Sequence, residues 1–424
     1  MLRAFLNAFK VPDLRAKILF TLFIIAVYRF GSWVPVPVVD TDIIRNQMNT
    51  DQGFLSFINL FSGGGLTRFA VFSLGIMPYI TSSIIMQLLT VVIPKLQQWQ
   101  EQGEPGVKKI NQWTRIVTVV LALLQSTGLV FLFNSGQEFP SVFPQGTFTA
   151  PNVALIVLTM TAGTALIMWL GELITQRGVG NGMSILIFAS VISTLPFEGS
   201  AILRTGGTGL LIALLLLGIA IIVAVVFIDQ GQRRIPIQFA RRVVGRKMTA
   251  GGSTYLPLKV NQAGVIPIIF ATSVMYFPVL LASVIRAEWF QNVINNYVNN
   301  PQSVVYMVLL AALIVFFAYF YTAIQFDPVR QADNLRKQGG FIPGIRPGPP
   351  TADYLNDILV RITLPGSLFL AAIALVPSVV LAYGASQQFP FGGTTILITV
   401  GVALETMKQI ESQLMMRHYE GFLK

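Results

Sequence analysis

The chain has 424 residues, of which 54% are hydrophobic and only 11% charged, with a formal net charge of +11. Soluble domains carry about 25% charged residues, so this composition excludes an ordinary water-soluble protein and points to a membrane one. With no cysteine and a single histidine, His418, the sequence also excludes disulfides, thiolate metal sites, Cys nucleophiles and a Ser-His-Asp triad inside the membrane.

Residues 1–17, "MLRAFLNAFKVPDLRAK", read as a short amphipathic cytoplasmic helix without a cleavable signal pattern. A hydrocarbon core about 30 Å thick takes roughly 20 apolar residues per helix. Ten apolar runs predict spans at 18–36, 70–93, 114–134, 152–171, 183–197, 209–228, 263–285, 303–325, 362–384 and 393–412. Between the first two lies "FLSFINLFSGGGLTR", Phe54–Arg68, a half-helix too short to cross a bilayer that runs into Gly63, Gly64 and Gly65.

Inside the spans, branched apolar residues sit beside helix breakers. Ile76 and Ile80 share a helix face at i, i+4 spacing and flank Pro78, which is expected to remove one backbone hydrogen bond. Met183 and Ile187 repeat the spacing after "RGVGNG", Ile269 follows Pro267, and Ile398 follows "FGGTT". Taken singly, each of these reads better as ordinary lipid-facing or core packing. Ionisable residues are almost absent from the span interiors. Arg29 lies toward the outer end of span 1 and can snorkel, Glu172 ends span 4, and Glu405 stands midway along span 10. A proton- or ion-coupled site needs such groups at midplane, so a coupled transporter is disfavoured and rests on Glu405 alone.

Two long segments interrupt the apolar pattern. In 229–261, "IPIQFARRVV" has strand composition and "TAGGST" reads as a turn, which predicts a β-hairpin. In 326–361 the cluster "GGFIPGIRPGPP" predicts a non-helical tip. Of the 29 Lys and Arg residues, Arg45, Arg68, Arg204 and Arg286 fall on one face and Arg29 within span 1; the rest collect on the other face with both termini. Cytoplasmic loops are rich in Lys and Arg, so both termini and both long loops are predicted to be cytoplasmic. Anionic lipid would explain their charge, but their length favours docking of a cytoplasmic partner. Ten spans divide into halves at 18–202 and 203–412, followed by a tail at 413–424. Halves with an odd number of spans face opposite ways, as in inverted repeats. No G-x-x-x-x-G-K-[ST] motif occurs, so nucleotide energy would have to come from a partner. Neither a cofactor nor a metal is expected. An inverted-repeat transporter is the competing reading from these features.

The motifs "NLFSGGGLTR", "LGIMPYITSSIIMQLLT", "MWLGELITQRGVGNGMSILIF", "GQRRIPIQFARR", "STYLPLKVNQAGVIPIIFA", "ADNLRKQGGFIPGIRPG" and "FGGTTILITV" run through essentially the whole chain in one order. In these the chain resembles the SecY family, the central channel of the bacterial protein translocon. The resemblance implies a non-enzymatic, all-α polytopic membrane protein of the bacterial inner membrane, with ten transmembrane helices in two inverted pseudo-symmetric five-helix halves around a central pore. It implies a pore ring of Ile76, Ile80, Met183, Ile187, Ile269 and Ile398, in which Met183 departs from the expected branched residue. It further implies a plug including Phe54, Phe57, Ile58, Leu60, Phe61, Gly63, Gly64 and Gly65. A lateral gate would comprise Gln87, Thr114 and Asn261, with Gly264 and Pro267 as hinge candidates. Arg241, Arg242, Arg246, Lys247 and Arg346 would dock the SecA motor ATPase or the ribosome. SecE and SecG would complete a heterotrimer, and signal-bearing polypeptides and membrane lipid would be the remaining partners.

Overall fold

A computed structural model describes residues 9, 11–39, 59–134, 148–239, 243–244, 247–248, 253–284, 287–298, 300, 302–382 and 393–420. Twelve helices follow in chain order: α1 (Pro12–Gly31), α2 (Met77–Val92), α3 (Pro94–Glu101), α4 (Glu104–Asn134), α5 (Ala150–Arg177), α6 (Gly182–Gln230), α7 (Ile266–Val284), α8 (Glu288–Val293), α9 (Val304–Gln325), α10 (Pro328–Lys337), α11 (Pro349–Ala382) and α12 (Gly393–Glu420). Five strands lie among them: β1 (Gln232–Phe239), β2 (Val243–Val244), β3 (Lys247–Met248), β4 (Ser253–Lys259) and β5 (Gly340–Phe341).

Local chemistry sets several boundaries. Pro94 occupies the first turn of α3, where no N–H is required, and forces Ile93 into an extended conformation. The chain consequently bends by 100° between α2 and α3. Asn181 caps α6 by accepting hydrogen bonds from the N–H groups of Met183 and Ser184. Asp327 caps α10 in the same way through Val329 and Arg330. Gly207, at φ 72° and ψ 178°, breaks α6 into two pieces.

The expected count of ten spanning helices is not reproduced. Among the described residues, five segments are long and apolar enough to cross a membrane: Glu104–Asn134, Ala150–Arg177, Gly207–Gln230, Val304–Lys337 and Pro349–Val376. The bent pair α2–α3 would make a sixth. The apolar helices Gly182–Pro196 and Ile266–Met275 are shorter than a bilayer requires. Several boundaries also move. Span 2 was expected from residue 70, yet helix begins only at Met77 because Phe69 is left-handed (φ 46°) and Gly75 has φ 56°. Pro78 therefore stands in the first turn of α2, and the expected lost hydrogen bond does not arise. The loop expected at 326–361 contains α10 and gives way to helix at Pro349.

The outer surface carries the apolar side chains that a soluble protein would bury: Val92, Phe227, Val304 and Val308 are 63–77% exposed. That pattern suits helices whose solvent is lipid. The interior is divided among several apolar clusters. The largest joins residues of α1, α2, α5, α6, α7 and α12, and a second packs α6, α7, α9, α11 and α12.

The predicted hairpin is present: β1 pairs antiparallel with β4, from Gln232 opposite Lys259 to Gln238 opposite Ser253. A third strand, β5, pairs with the other edge of β1 through Gln238–Phe341 and Phe239–Gly340. The two long loops thus share one sheet, ordered β4-β1-β5. Ile235 and Leu258 from that sheet, with Ile342 just after β5, pack on Leu355 and Ile358 of α11.

The junction of α5 and α6 is a very close approach of two helix backbones. A Cβ on Gly182 would lie 1.9 Å from the carbonyl oxygen of Gly171, so no side chain fits there. We expect Gly182→Ala to destabilise the protein by about 1–3 kcal/mol through overpacking. A lower midpoint in thermal unfolding of the detergent-extracted protein would register it, and an unchanged midpoint would contradict this packing.

Candidate functional site

Six residues predicted from the motifs come together. Ile76, Met183, Ile187, Ile269 and Ile398 are buried members of one contiguous apolar cluster, and Ile80 packs against it partly buried. Ile76 is the N-cap residue of α2, and the N–H groups of Tyr79 and Ile80 both donate to its carbonyl at 3.1 Å. Met183 and Ile187 come from the first two turns of α6, Ile269 from the start of α7 and Ile398 from the start of α12. The cluster therefore joins elements from both sides of the 202/203 boundary. Met183 has a specific partner: a Cβ on Gly171 would lie 2.4 Å from its sulfur, so the thioether occupies the space that this glycine leaves.

The end of the half-helix meets the same cluster. Phe54, Phe57 and Ile58 lie outside the described residues, but residues 59–62 are helical. Phe61 is fully buried in the cluster and Leu60 packs against it. Past them the chain makes a compact, hydrogen-bonded turn. The Gly64 N–H donates to the Asn59 carbonyl at 2.9 Å, and the Leu66 N–H to Ser62 Oγ at 3.2 Å. Thr67 Oγ1 donates to the Gly64 carbonyl at 2.8 Å. Gly63 and Gly64 take left-handed angles, φ 63° and 84°, whereas Gly65 is right-handed at φ −68°.

Sequence reasoning missed what holds this turn. Arg29 was expected to snorkel outward; instead its Nη1 donates to the Gly63 carbonyl at 2.7 Å. Tyr28 Oη lies 2.6 Å from Ser190 Oγ and donates to the Phe61 carbonyl at 3.4 Å, while its ring stacks on Phe72. The Arg68 guanidinium sits 3.6 Å from the centre of the Trp33 ring. A lone arginine near the end of a span was the one available signal.

Among the described residues, no hydrogen bond links the three proposed gate residues to one another. Gln87 is exposed on α2. Thr114 is buried, and its hydroxyl donates to the Ile110 carbonyl of its own helix. Its carbonyl, however, accepts a 2.6 Å hydrogen bond from Ser82 Oγ, which ties α2 to α4. Asn261 lines a small cavity with Asp229, Gly264, Val265 and Leu397. Ile80 and Ile84 of α2 pack against the apolar cluster that includes Ile269 of α7, and Ile84 also against the cluster that includes Ile268, Phe270 and Ala271 of α7. An exposed ion pair, Arg330–Glu101 at 3.6 Å, joins α10 to α3 nearby. Glu405 is exposed on α12 and does not enter the apolar cluster.

Of the basic residues, Arg241, Arg242 and Arg246 lie outside the described residues, and Lys247 belongs to the short strand β3. Arg346 is exposed at the Gly/Pro tip, where its carbonyl accepts from Thr351 Oγ1 at 2.8 Å and pins the tip to the start of α11.

A family model described as SecY matches residues 70–407. The protein translocase subunit SecY of Streptomyces coelicolor is 52% identical over 444 aligned residues, covering 100% of both chains. Among solved structures, a protein-conducting channel superposes with a TM-score of 0.67 at 18% identity, over 94% of this chain and 92% of that one. A SecY channel whose plug domain stabilises its closed state gives 0.63 at 18% identity, with the same coverage. Sec61 in a canine ribosome–channel complex of the endoplasmic reticulum gives 0.63 at 17% identity, again with the same coverage. The chain belongs to the SecY family: it is a multi-pass membrane protein and a subunit of the protein translocase, not an enzyme.

Proposed function

We propose that the apolar cluster is the waist of a pore through which unfolded secretory polypeptides cross the membrane, and that residues around 54–68 form the plug that stops it. One observation carries this reading: Ile76, Ile80, Met183, Ile187, Ile269 and Ile398, from four separate helices, converge on the buried end of an apolar half-helix. A hole wide enough for a polypeptide must still refuse ions. Apolar side chains offer an ion no ligand and favour dewetting, so they can close the hole without a site for the ion to bind. Isoleucine and methionine side chains can also yield to a passing chain and close again behind it.

Sideways release of a transmembrane segment would occur between α2/α4 and α7/α9, where Ile80 and Ile84 of α2 pack against apolar clusters that include residues of α7. A greasy segment can replace such contacts without leaving polar groups unpaired, because lipid and protein interior are alike to it. Gln87, Thr114 and Asn261 would then flank the opening.

The charge asymmetry of the loops supports cytoplasmic termini in a bacterial inner membrane, with the β4-β1-β5 sheet and the Arg346 tip facing the cytoplasm. Docking there of the ribosome, the partner named for the canine relative, or of the SecA motor fits a basic surface. SecE and SecG would complete the assembly, and anionic lipid would contact the basic rim.

Two outcomes are expected. Replacing Ile76 and Ile80 together by serine should raise the ion conductance of the resting channel in planar bilayers by about tenfold or more, since polar groups at a dewetted constriction admit water. Unchanged conductance would remove these residues from the ring. Arg346→Glu should slow SecA-driven translocation into vesicles about tenfold, as expected from one reversed charge at an interface, without reducing channel abundance; a normal rate would remove Arg346 from docking.

A further inference from the structure

We propose that Arg29 is a positioning residue that latches the plug shut by holding the carbonyl of Gly63. The proposal rests on the plug reading above and adds the part of the molecule that keeps the plug in place.

The geometry is specific. Arg29 stands in the last turn of α1, and its guanidinium reaches the Gly63 carbonyl at 2.7 Å, a charge-assisted hydrogen bond. It grips the residue where the half-helix ends and the left-handed turn begins. A Cβ on Gly63 would lie 2.6 Å from the arginine Nη1 and 3.2 Å from Ser190 Cα. Glycine is therefore required there twice: for its backbone angle, φ 63°, and for the room it leaves the guanidinium. Tyr28, one residue earlier, bonds Ser190 of α6 and the Phe61 carbonyl, which closes the other side of the same turn. Two consecutive residues of α1 thus hold two carbonyls of the segment that would have to swing out.

The location explains why a charge stands in an otherwise apolar span. An arginine near a helix end can keep its hydration by snorkelling. Here it is turned toward a backbone carbonyl of the unwound segment. That carbonyl exists as a free acceptor only because the helix has ended at the glycines. When the segment moves away, Arg29 loses this partner and can turn to water or lipid headgroups, so the latch can open without leaving a charge stranded. A hydrogen bond of this type biases an equilibrium without making it irreversible.

The test uses the fully assembled translocon in nanodiscs, where both faces are accessible, and in planar bilayers. The chain has no cysteine, so Ser62→Cys supplies its sole thiol at a fully buried position. With Arg29→Gln added, reaction of that thiol with a water-soluble maleimide should accelerate about tenfold, the shift expected when a hydrogen bond to a charged group is lost. Arg29→Lys, which keeps the charge and a donor, should stay within about twofold of the parent. Resting conductance should rise alongside labelling in Arg29→Gln. If labelling accelerates while conductance stays at the parent level, the latch stands and the plug reading fails. If neither changes, the latch is wrong and the plug reading survives. Labelling of Arg29→Lys as fast as Arg29→Gln would also overturn the latch. Should Arg29→Gln assemble poorly, Gly63→Ala cuts the same contact from the other side; normal labelling in that variant would overturn the proposal.

Discussion

The six candidate ring residues meet where helices begin. Each of the six lies at or within two turns of a helix start: Ile76 and Ile80 at α2, Met183 and Ile187 at α6, Ile269 at α7, and Ile398 at α12, whose described residues begin at Gly393. Beginning at depth has a cost, because the first four N–H groups of a helix have no partner within it. The sequence chemistry beside the cluster answers that cost. Pro78 has no N–H to satisfy, and Asn181 accepts from two of the freed donors of α6. Breakers and branched apolar residues are neighbours in this chain because the one creates the place where the other can converge.

The same accounting governs the unwound segment between the half-helix and α2. Its backbone runs inside the protein from Gly63 to Ile76, where each polar group must find a bond. The Val36 N–H donates to the Phe69 carbonyl and the Val71 N–H to the Val34 carbonyl, both at 2.9 Å, across a small bridge between Pro35 and Ala70. Ser62, Ser73 and Thr67 supply further side-chain partners. Non-helical backbone is tolerated at this depth because protein surrounds it, as in the broken helices of transporters. The segment is thus internally bonded, with three left-handed glycines, Gly63, Gly64 and Gly75, and the left-handed Phe69 along it.

Much of this was legible in the residues. Motif order pointed to the family, hydropathy located the apolar runs, and strand composition found β1 and β4. The helix starts were not legible, because hydropathy records how apolar a stretch is and not whether its backbone bonds to itself. Residues 70–76 are as apolar as the helix after them, yet Phe69 and Gly75 take left-handed angles. Strand β5 escaped notice because two residues, Gly340 and Phe341, carry no periodicity; only β1 makes them a strand. The role of Arg29 was hidden for a similar reason: its partner is a backbone carbonyl, which no side-chain pattern can signal. The Gln87–Thr114–Asn261 grouping came from motif position alone, since no spacing or periodicity in the sequence links three such distant residues.

The sheet shared by the two long loops has a mechanical consequence. Strand β1 leaves α6 after a single intervening residue, Gly231, and β4 leads back toward α7. Both are hydrogen-bonded along their length, and β5 attaches the neighbouring loop to the free edge of β1. Force applied at the Arg346 tip is carried into this sheet as shear across parallel rows of hydrogen bonds, which must yield together and not one after another. The tip, the sheet and the end of α6 that enters it are thereby joined, and just beyond β4 Val265 packs against the central cluster.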